Sequence, residues 1–475
     1  MNLLAPITFY ALVASFFNRR IALASAAGFL FFTGSPFFPS WASATYSPAL
    51  FPVIFVQSLF YISLIAYRKA LYTRQRKWHV AAGILLGLTF LGHTAPAVIL
   101  GGIVVLFTLK QLYSLRKQRA PSAEILRVIA DLVSLLGAAL VISAPYLYSI
   151  VGRYHLRILN PLPNNWRWGP LDGANVVGLI AAQLVWPPTY VALIGFVRFL
   201  SSKWLYGSNL DFVRPNKGLT PPAHSETSLD AAPQLERPSG STEKELLSLW
   251  LMVCLLLLIY SYLQPSLEAL GIRAVNITPS YHFFFYLESF KSILFGLGLM
   301  AVVEFLLKRR WKLRDETTTL LALIGISLVI AYPIYLRRDF FRARDESLAA
   351  AERTDEIKAF TWIQQNTLPT DVFLATDTLG LFVVGQSGRK VVSIPPYFSN
   401  PYVNWEAREE DRQTLFALLK AGDANGFIDL ATRYHVQYVI VDGTEGIANL
   451  EMRNFLRRVF SSGGVIIYQL ASGEP

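Results

Sequence analysis

The sequence has a single cysteine. It also has no acidic residue in its first 123 positions. Cys254 lies inside the apolar stretch LMVCLLLLIY, which excludes a disulfide framework and a thiol–metal site. Glu124 is the first carboxylate, so residues 1–123 supply none to acid–base or metal chemistry. Charged residues are also scarce, at 16% of the chain, whereas 53% of the residues are hydrophobic. This balance excludes an ordinary soluble protein.

Long apolar runs recur along the first two thirds of the chain and predict a polytopic membrane protein. A helix rises about 1.5 Å per residue, so roughly 20 apolar residues cross a hydrocarbon core of about 30 Å. The predicted fold class is mainly α: a transmembrane helical bundle of about ten crossing segments, two of them broken, with a C-terminal extracytoplasmic α/β domain. The predicted segments are 3–17, 21–38, 49–67, 79–92, 95–110, 122–150, 174–201, 246–264, 281–307 and 317–337.

Basic residues concentrate in alternate loops and predict the orientation of the chain. The stretches 68–78, 110–119 and 308–314 are rich in Lys and Arg, and such loops face the cytoplasm. The formal net charge of +11 is explained by this bias, so nucleic acid is not a predicted partner. The N-terminus and the last domain are then outside the cytoplasm, in the plasma (inner) membrane. The predicted divisions are 1–201 (N-terminal transmembrane helices), 202–245 (flexible cytoplasmic linker), 246–337 (C-terminal transmembrane helices) and 338–475 (extracytoplasmic α/β domain).

Two predicted segments contain helix breakers. The sequence Gly92-His93-Thr94-Ala95-Pro96 interrupts a long apolar run with two basic ends, which predicts a helical hairpin with an outer tip. The step at Trp186-Pro187-Pro188 must kink or split its helix, because proline lacks the N–H that a helix needs. Irregular backbone at membrane depth is tolerated where it is buried in protein or lines a cavity.

The composition changes after residue 338 and predicts a small α/β domain. Helical and strand patterns alternate there, which is typical of a largely parallel sheet. The strands are expected at DVFLAT, KVVSI, VQYVIVDG and GVIIYQ, and the helices at 346–366, 408–420, 423–434 and 449–458.

The predicted outer loop 151–173 collects cationic side chains. Clustered arginines suit a phosphate through bidentate hydrogen bonds. The alternative is an interfacial loop whose Trp and Arg side chains lie at the level of the lipid headgroups. The candidate substrate-binding residues of this loop are Arg153, His155, Arg157 and Arg167, and its one carboxylate, Asp172, is a candidate catalytic residue.

Four further polar residues lie near the predicted outer ends of the helices. His93, at the hairpin tip, is expected either to bind a substrate phosphate or to cap the broken backbone. His282 is explained by its position at the membrane interface. Glu288 and Lys291, three residues apart, share one helix face. They predict either a mutually neutralising pair or a direct role, with Glu288 as a catalytic residue and Lys291 as a substrate ligand.

Three stretches resemble the GT-C superfamily of membrane glycosyltransferases, which includes the protein mannosyltransferases. They are GLTFLGHTAP, the late helix PSYHFFFYLESFKSILFGLGL, and the tail that begins AFTWIQQNTLPTDVFLATD and ends YVIVD. The resemblance implies inverting transfer of a sugar from a polyprenyl-phosphate donor at the outer face. It also implies a catalytic Asp or Glu in the first outer loop, but SWASATYSPAL contains no acid. A chain lacking an N-terminal helix and the first outer catalytic loop, or an inactive member, is therefore expected.

The resulting hypothesis is a GT-C-like glycosyltransferase whose partners are membrane lipids, a polyprenyl-phosphate-linked sugar, and an acceptor glycan, lipid or protein. No cofactor is predicted, and a divalent metal stays open because no ligand cluster identifies its site. Two alternatives stay open as well. One is a transporter or flippase with Glu288 and Lys291 along its path. The other is a non-catalytic scaffold that presents the C-terminal domain.

Overall fold

The chain forms two compact units. A computed structural model describes residues 4–31, 52–155, 157–160, 181, 184, 186–201, 241–272, 281–305, 355–442, 454–471 and single positions between 317 and 346. The helical unit comprises Met1–Tyr148 and Arg167–Arg337, and the α/β unit comprises Ser149–Trp166 and Arg338–Pro475. The predicted division at 1–201 includes residues 149–166, which group with the C-terminal unit.

The described part of the helical unit is built from long apolar helices. Four described stretches are long and apolar enough to cross a membrane: Thr94–Lys117, Ser122–Arg153, Thr242–Ser261 and Phe285–Val303. The total of about ten crossing segments stays a prediction. The helices are α1 (Leu4–Phe16), α2 (Arg19–Phe31), α3 (Pro52–Thr73), α4 (Arg76–Gly92), α5 (Thr94–Lys117), α6 (Ser122–Tyr148), α7 (Pro187–Leu200), α8 (Ser241–Ala269) and α9 (Tyr281–Val303).

Helices α4 and α5 form the predicted hairpin. His93 alone separates them, with extended backbone angles (φ −166°, ψ 132°). His79, near the start of α4, and Ser114, near the end of α5, line one cavity, so the two helices run in opposite directions. We call the end of the unit that holds this cavity the basic end, and the end that holds His93 the histidine end.

Glycines bring the helices close together. A Cβ on Gly298 of α9 would overlap the carbonyl oxygen of Val191 in α7, and a Cβ on Gly195 would overlap that of Leu294. A Cβ on Gly296 of α9 would overlap the side-chain oxygen of Ser25 in α2. Membrane helices associate largely through such close backbone contacts, because lipid provides no hydrophobic drive between them.

Helix α8 begins earlier than predicted and is tied to α3 at the basic end. It starts at Ser241, inside the predicted linker 202–245. Glu243, in its first turn, accepts hydrogen bonds from Arg68 Nε (3.0 Å) and Nη2 (2.8 Å), and one from Tyr72. A carboxylate in the first helical turn also interacts favourably with the helix dipole. These contacts explain the early start of the helix.

The α/β unit contains a mixed five-stranded sheet. The strands are β1 (Val372–Leu374), β2 (Lys390–Val391), β3 (Val436–Asp442), β4 (Leu456–Ser462) and β5 (Val465–Leu470), in the order β2-β1-β3-β5-β4. β1 pairs in parallel with β2 and β3, whereas β5 is antiparallel to both β3 and β4. The helices are α10 (Asp355–Asn366), α11 (Asp377–Phe382), α12 (Trp405–Ala421) and α13 (Ala424–Arg433).

The antiparallel hairpin corrects the sequence analysis. The predicted helix 449–458 is wrong at its C-terminal end, because Leu456–Ser462 is strand β4. Gly463, with φ +56°, provides the tight turn into β5, and the pairing with β5 decides the conformation of the preceding residues. The prediction of a largely parallel sheet therefore holds only for β1, β2 and β3.

Candidate functional site

The histidine end holds a pair of imidazoles. His93 caps α5, since its Nδ1 accepts a hydrogen bond from the N–H of Ala95 (3.1 Å). An accepting Nδ1 places the proton of the neutral ring on Nε2, which is then a hydrogen-bond donor. The His93 ring lies against that of His282, with 4.2 Å between centroids. The capping alternative for His93 is what the structure shows, and a substrate role for it stays a prediction.

His282 differs from the sequence expectation. It lies in the first turn of α9 and is 6% exposed. A histidine that reached out to the membrane interface would be more exposed, so the snorkelling explanation does not apply. No sequence signal connects it with His93, because the two residues lie in helices that are far apart in the chain.

Glu288 and Lys291 form the predicted ion pair. Lys291 Nζ lies 2.5 Å from Glu288 Oε2, and the side chains are 21% and 16% exposed, respectively. Both residues lie on α9, and Glu288 is about 9 Å further along the helix axis than His282, at 1.5 Å per residue. The pair is therefore half-buried, and Lys291, nine residues after His282, lies about two and a half turns further along α9 on the opposite face of the helix.

The neighbouring helices place this pair where α7 begins. Gly195 contacts α9 at Leu294, and Arg198 donates to Glu304 (3.0 Å), so α7 runs parallel to α9. Residue Pro187, at the start of α7, is then level with the turn that carries the ion pair. Trp186 precedes it in extended backbone, which confirms that the Trp-Pro-Pro step splits the helix.

The predicted cationic loop lies in the α/β unit, in the part that is described. Tyr154 stacks on Tyr402 at 5.3 Å between centroids, and the N–H groups of Leu159 and Asn160 donate to the carbonyl of Pro401 (both 2.9 Å). Arg153, His155 and Arg157 are exposed between these anchors. None of the three has an ion-pair partner among the described residues. Arg167 and Asp172 lie outside the described residues.

One cluster of charged side chains in the α/β unit is engaged in the fold. Arg412 is nearly buried and pairs with Glu409 (2.5 Å) and Asp377 (2.8 Å). Partial burial raises the pKa of Glu409, but the hydrogen bonds from Arg412 and Gln413 outweigh it and hold that pKa below its usual value. This cluster joins α12 to the start of α11 and is structural.

The structure also shows two polar clusters that sequence reasoning missed, both at the basic end. One is Glu243 with Arg68 and Tyr72. The other is His79 of α4, whose Nδ1 lies 3.7 Å from Asp131 Oδ1 of α6. The sequence did contain a signal for Asp131, because it is an acidic residue inside an apolar run. The described residues contain no group of three or more His, Cys, Asp or Glu side chains that could hold a metal ion.

No protein-family model matches the chain, and no curated protein sequence matches it. Among solved structures, the chain is similar to the archaeal oligosaccharyltransferase AglB from Archaeoglobus fulgidus in complex with an inhibitory peptide and a dolichol-phosphate. The identity is 15% and the TM-score 0.38, over 100% of this chain and 62% of that one. It is also similar to ArnT from Cupriavidus metallidurans bound to undecaprenyl phosphate, at 12% identity and a TM-score of 0.48, over 99% of this chain and 83% of that one. The chain thus spans less than two thirds of the length of AglB.

Proposed function

We propose that the chain is a GT-C-like membrane glycosyltransferase that moves a sugar from a polyprenyl-phosphate donor to an acceptor at the outer face of the membrane. The observation that carries the proposal is the half-buried pair of Glu288 and Lys291 on α9, within a bundle of apolar helices and on the helix whose first turn brings His282 against His93. The sequence resemblance supports it, because GLTFLGHTAP contains His93 and the late helix contains the other three residues.

The roles follow from the chemistry of these groups. A polyprenyl phosphate leaves with a growing negative charge, which donors near the phosphate stabilise in the transition state. In this proposal Lys291 supplies that stabilisation, and the Nε2–H of His93 is a further candidate donor. Glu288 holds Lys291 in place and is a candidate base for the acceptor, together with Asp172. Arg153, His155, Arg157 and Arg167 are the remaining proposed substrate ligands.

The proposed setting is the plasma (inner) membrane with the α/β unit outside the cytoplasm. The support is the distribution of charge, because Arg76 and Lys117 both lie at the basic end, opposite His93. Cysteines placed singly on the α/β unit, in a Cys254→Ala background, test this orientation in intact cells with a membrane-impermeant thiol reagent. Labelling before lysis is expected, and labelling only after lysis would reverse the orientation.

The reaction is tested with the purified full chain in nanodiscs, polyprenyl-phosphate sugars labelled in the sugar, and extracted membrane acceptors that receive it. Loss of label from the donor is expected with the parent chain and with Glu245→Gln, a control whose carboxylate pairs with exposed Lys110 at the basic end. Lys291→Met is expected to lower the rate about tenfold or more, since it removes a charged donor. Unchanged rates in Lys291→Met would remove Lys291 from the mechanism.

A sealed-vesicle version separates the transporter alternative. If the labelled lipid crosses the bilayer unaltered and no sugar is transferred, the chain is a flippase and the proposed reaction is wrong.

A further inference from the structure

A cavity of about 350 Å³ opens at the basic end of the helical unit, far along the helices from His93. Five helices surround it: α3, α4, α5, α6 and α8. Its volume lies within the range of about 300–1,000 Å³ that is usual for small-molecule sites. The proposed function makes no use of it.

The floor of the cavity holds a carboxylate and an imidazole that do not complete a hydrogen bond. The His79 side chain is 7% exposed, and its Nδ1 has no hydrogen-bond partner among the described residues. Asp131 Oδ1 lies 3.7 Å away, beyond hydrogen-bond distance, and its side chain is 19% exposed. A buried polar atom without a partner destabilises the fold, so a ligand group between these two side chains would be favoured.

The rim of the cavity carries charges of both signs, with Glu124 among its lining residues and two arginines at one corner. Arg74 and Arg127 are exposed, and neither has a carboxylate partner among the described residues. Arg127 Nη2 donates to the backbone carbonyl of Arg74 (2.7 Å), which holds the two arginines at one corner. Lys110, by contrast, is neutralised by Glu245 at 2.8 Å. The cavity is therefore negative at its floor and positive at this corner of its rim.

We propose that this cavity binds a phosphoethanolamine group, with its ammonium at Asp131 and its phosphate at Arg74 and Arg127. A simple anion would face Asp131, and a simple cation would have to pass the arginines, whereas a zwitterion with both charges satisfies both ends. Ammonium groups donate hydrogen bonds to carboxylates and imidazole nitrogens, and guanidinium groups bind phosphates. Basic pockets between membrane helices are known to suit lipid headgroups.

The neighbouring surface suits a lipid as the source of this group. Helix α6 contributes Arg127 and Asp131. Only 6% of its most apolar 18-residue stretch is buried within the protein. Its exposed residues Val133, Leu136 and Leu140 come after Asp131 along the same helix and provide a surface for acyl chains. The same headgroup chemistry is present in free O-phosphoethanolamine, so the experiment must separate the two sources.

The test is a lipid titration of the delipidated full chain, followed by native mass spectrometry. Phosphatidylethanolamine and phosphatidylglycerol with identical acyl chains differ in the ammonium group, and the first is expected to bind about tenfold more tightly. Asp131→Asn is expected to remove this preference while leaving the binding of phosphatidylglycerol unchanged. Arg127→Gln, at the exposed rim, is expected to weaken both lipids about tenfold and does not disturb the floor.

Arg116→Gln is the matched control, because Arg116 is an exposed arginine of α5 at the same end that does not line the cavity. Equal binding of both lipids by the parent, or an equal loss in the Arg116 and Arg127 variants, would overturn the proposal. Displacement of the lipid by free O-phosphoethanolamine would identify the headgroup alone as the ligand. Retention of the lipid with its preference intact would identify the lipid as the ligand.

Discussion

Replacing Lys291 by methionine leaves Glu288 as a half-buried carboxylate without its ammonium partner. Fully exposed ion pairs contribute about 0–1 kcal/mol, whereas removal of one partner from a fully buried pair costs about 3–5 kcal/mol. With side-chain exposures of 16% and 21%, this pair lies between these limits but nearer the buried one. We therefore expect Lys291→Met to destabilise the protein by about 2 kcal/mol, and Glu288→Gln by a similar amount.

The double variant separates a structural pair from a catalytic residue. Without either charge, no unpaired ion remains, so the Glu288→Gln/Lys291→Met protein is expected to regain most of the lost stability. Thermal unfolding of the purified variants in one detergent measures the coupling, which is the deviation from additive effects. A coupling below about 0.5 kcal/mol would contradict the ion pair.

The transfer rates of the same variants show whether Glu288 is catalytic. If Glu288 acts only by holding Lys291, then Glu288→Asp restores the rate and Glu288→Gln lowers it moderately. If Glu288 is the base, Glu288→Gln abolishes transfer, and the rate does not return in the double variant even though the stability does. A full rate in Glu288→Gln at normal stability would refute both roles.

Three further outcomes are expected. Gly298→Ala should destabilise the helical unit by about 1–3 kcal/mol, because its Cβ overlaps a backbone carbonyl, while the control Gly137→Ala, whose Cβ meets nothing within 4 Å, should be neutral or stabilising in thermal unfolding. His93→Ala should cost about 1 kcal/mol by loss of the α5 cap, and His93→Asn, which can cap, should restore it; equal losses would exclude capping as its contribution. The depressed pKa of Glu409 predicts that its stabilisation of the α/β unit is complete above the usual pKa of 4.5 and is lost as the pH falls through the lower folded value. Hydrogen exchange of α12 against pH measures this loss, and an unchanged pH dependence in Glu409→Gln would contradict it.

The sequence was most informative where a local signal fixed the backbone. The glycine and proline around His93 predicted the α4–α5 hairpin, and Trp186-Pro187-Pro188 predicted the start of α7. The spacing of Glu288 and Lys291 predicted that they share one helix face, and the ion pair was one of the two outcomes left open.

The remainder depended on contacts between distant parts of the chain. Strand β4 carried a helical pattern, and only its pairing with β5 made it a strand. The contact of His93 with His282, and that of His79 with Asp131, required the packing of helices that glycines bring together. No single-helix pattern contains that information.

The most direct test of the proposed function follows both products of a single turnover. The purified full chain is incubated in nanodiscs with a polyprenyl-phosphate sugar labelled in the sugar and in the lipid, together with extracted membrane acceptors. Sugar transfer predicts one equivalent of free polyprenyl phosphate for each labelled acceptor formed, at a rate that Lys291→Met lowers. A folded chain that leaves every donor of the panel intact, with and without acceptors, would contradict the proposal.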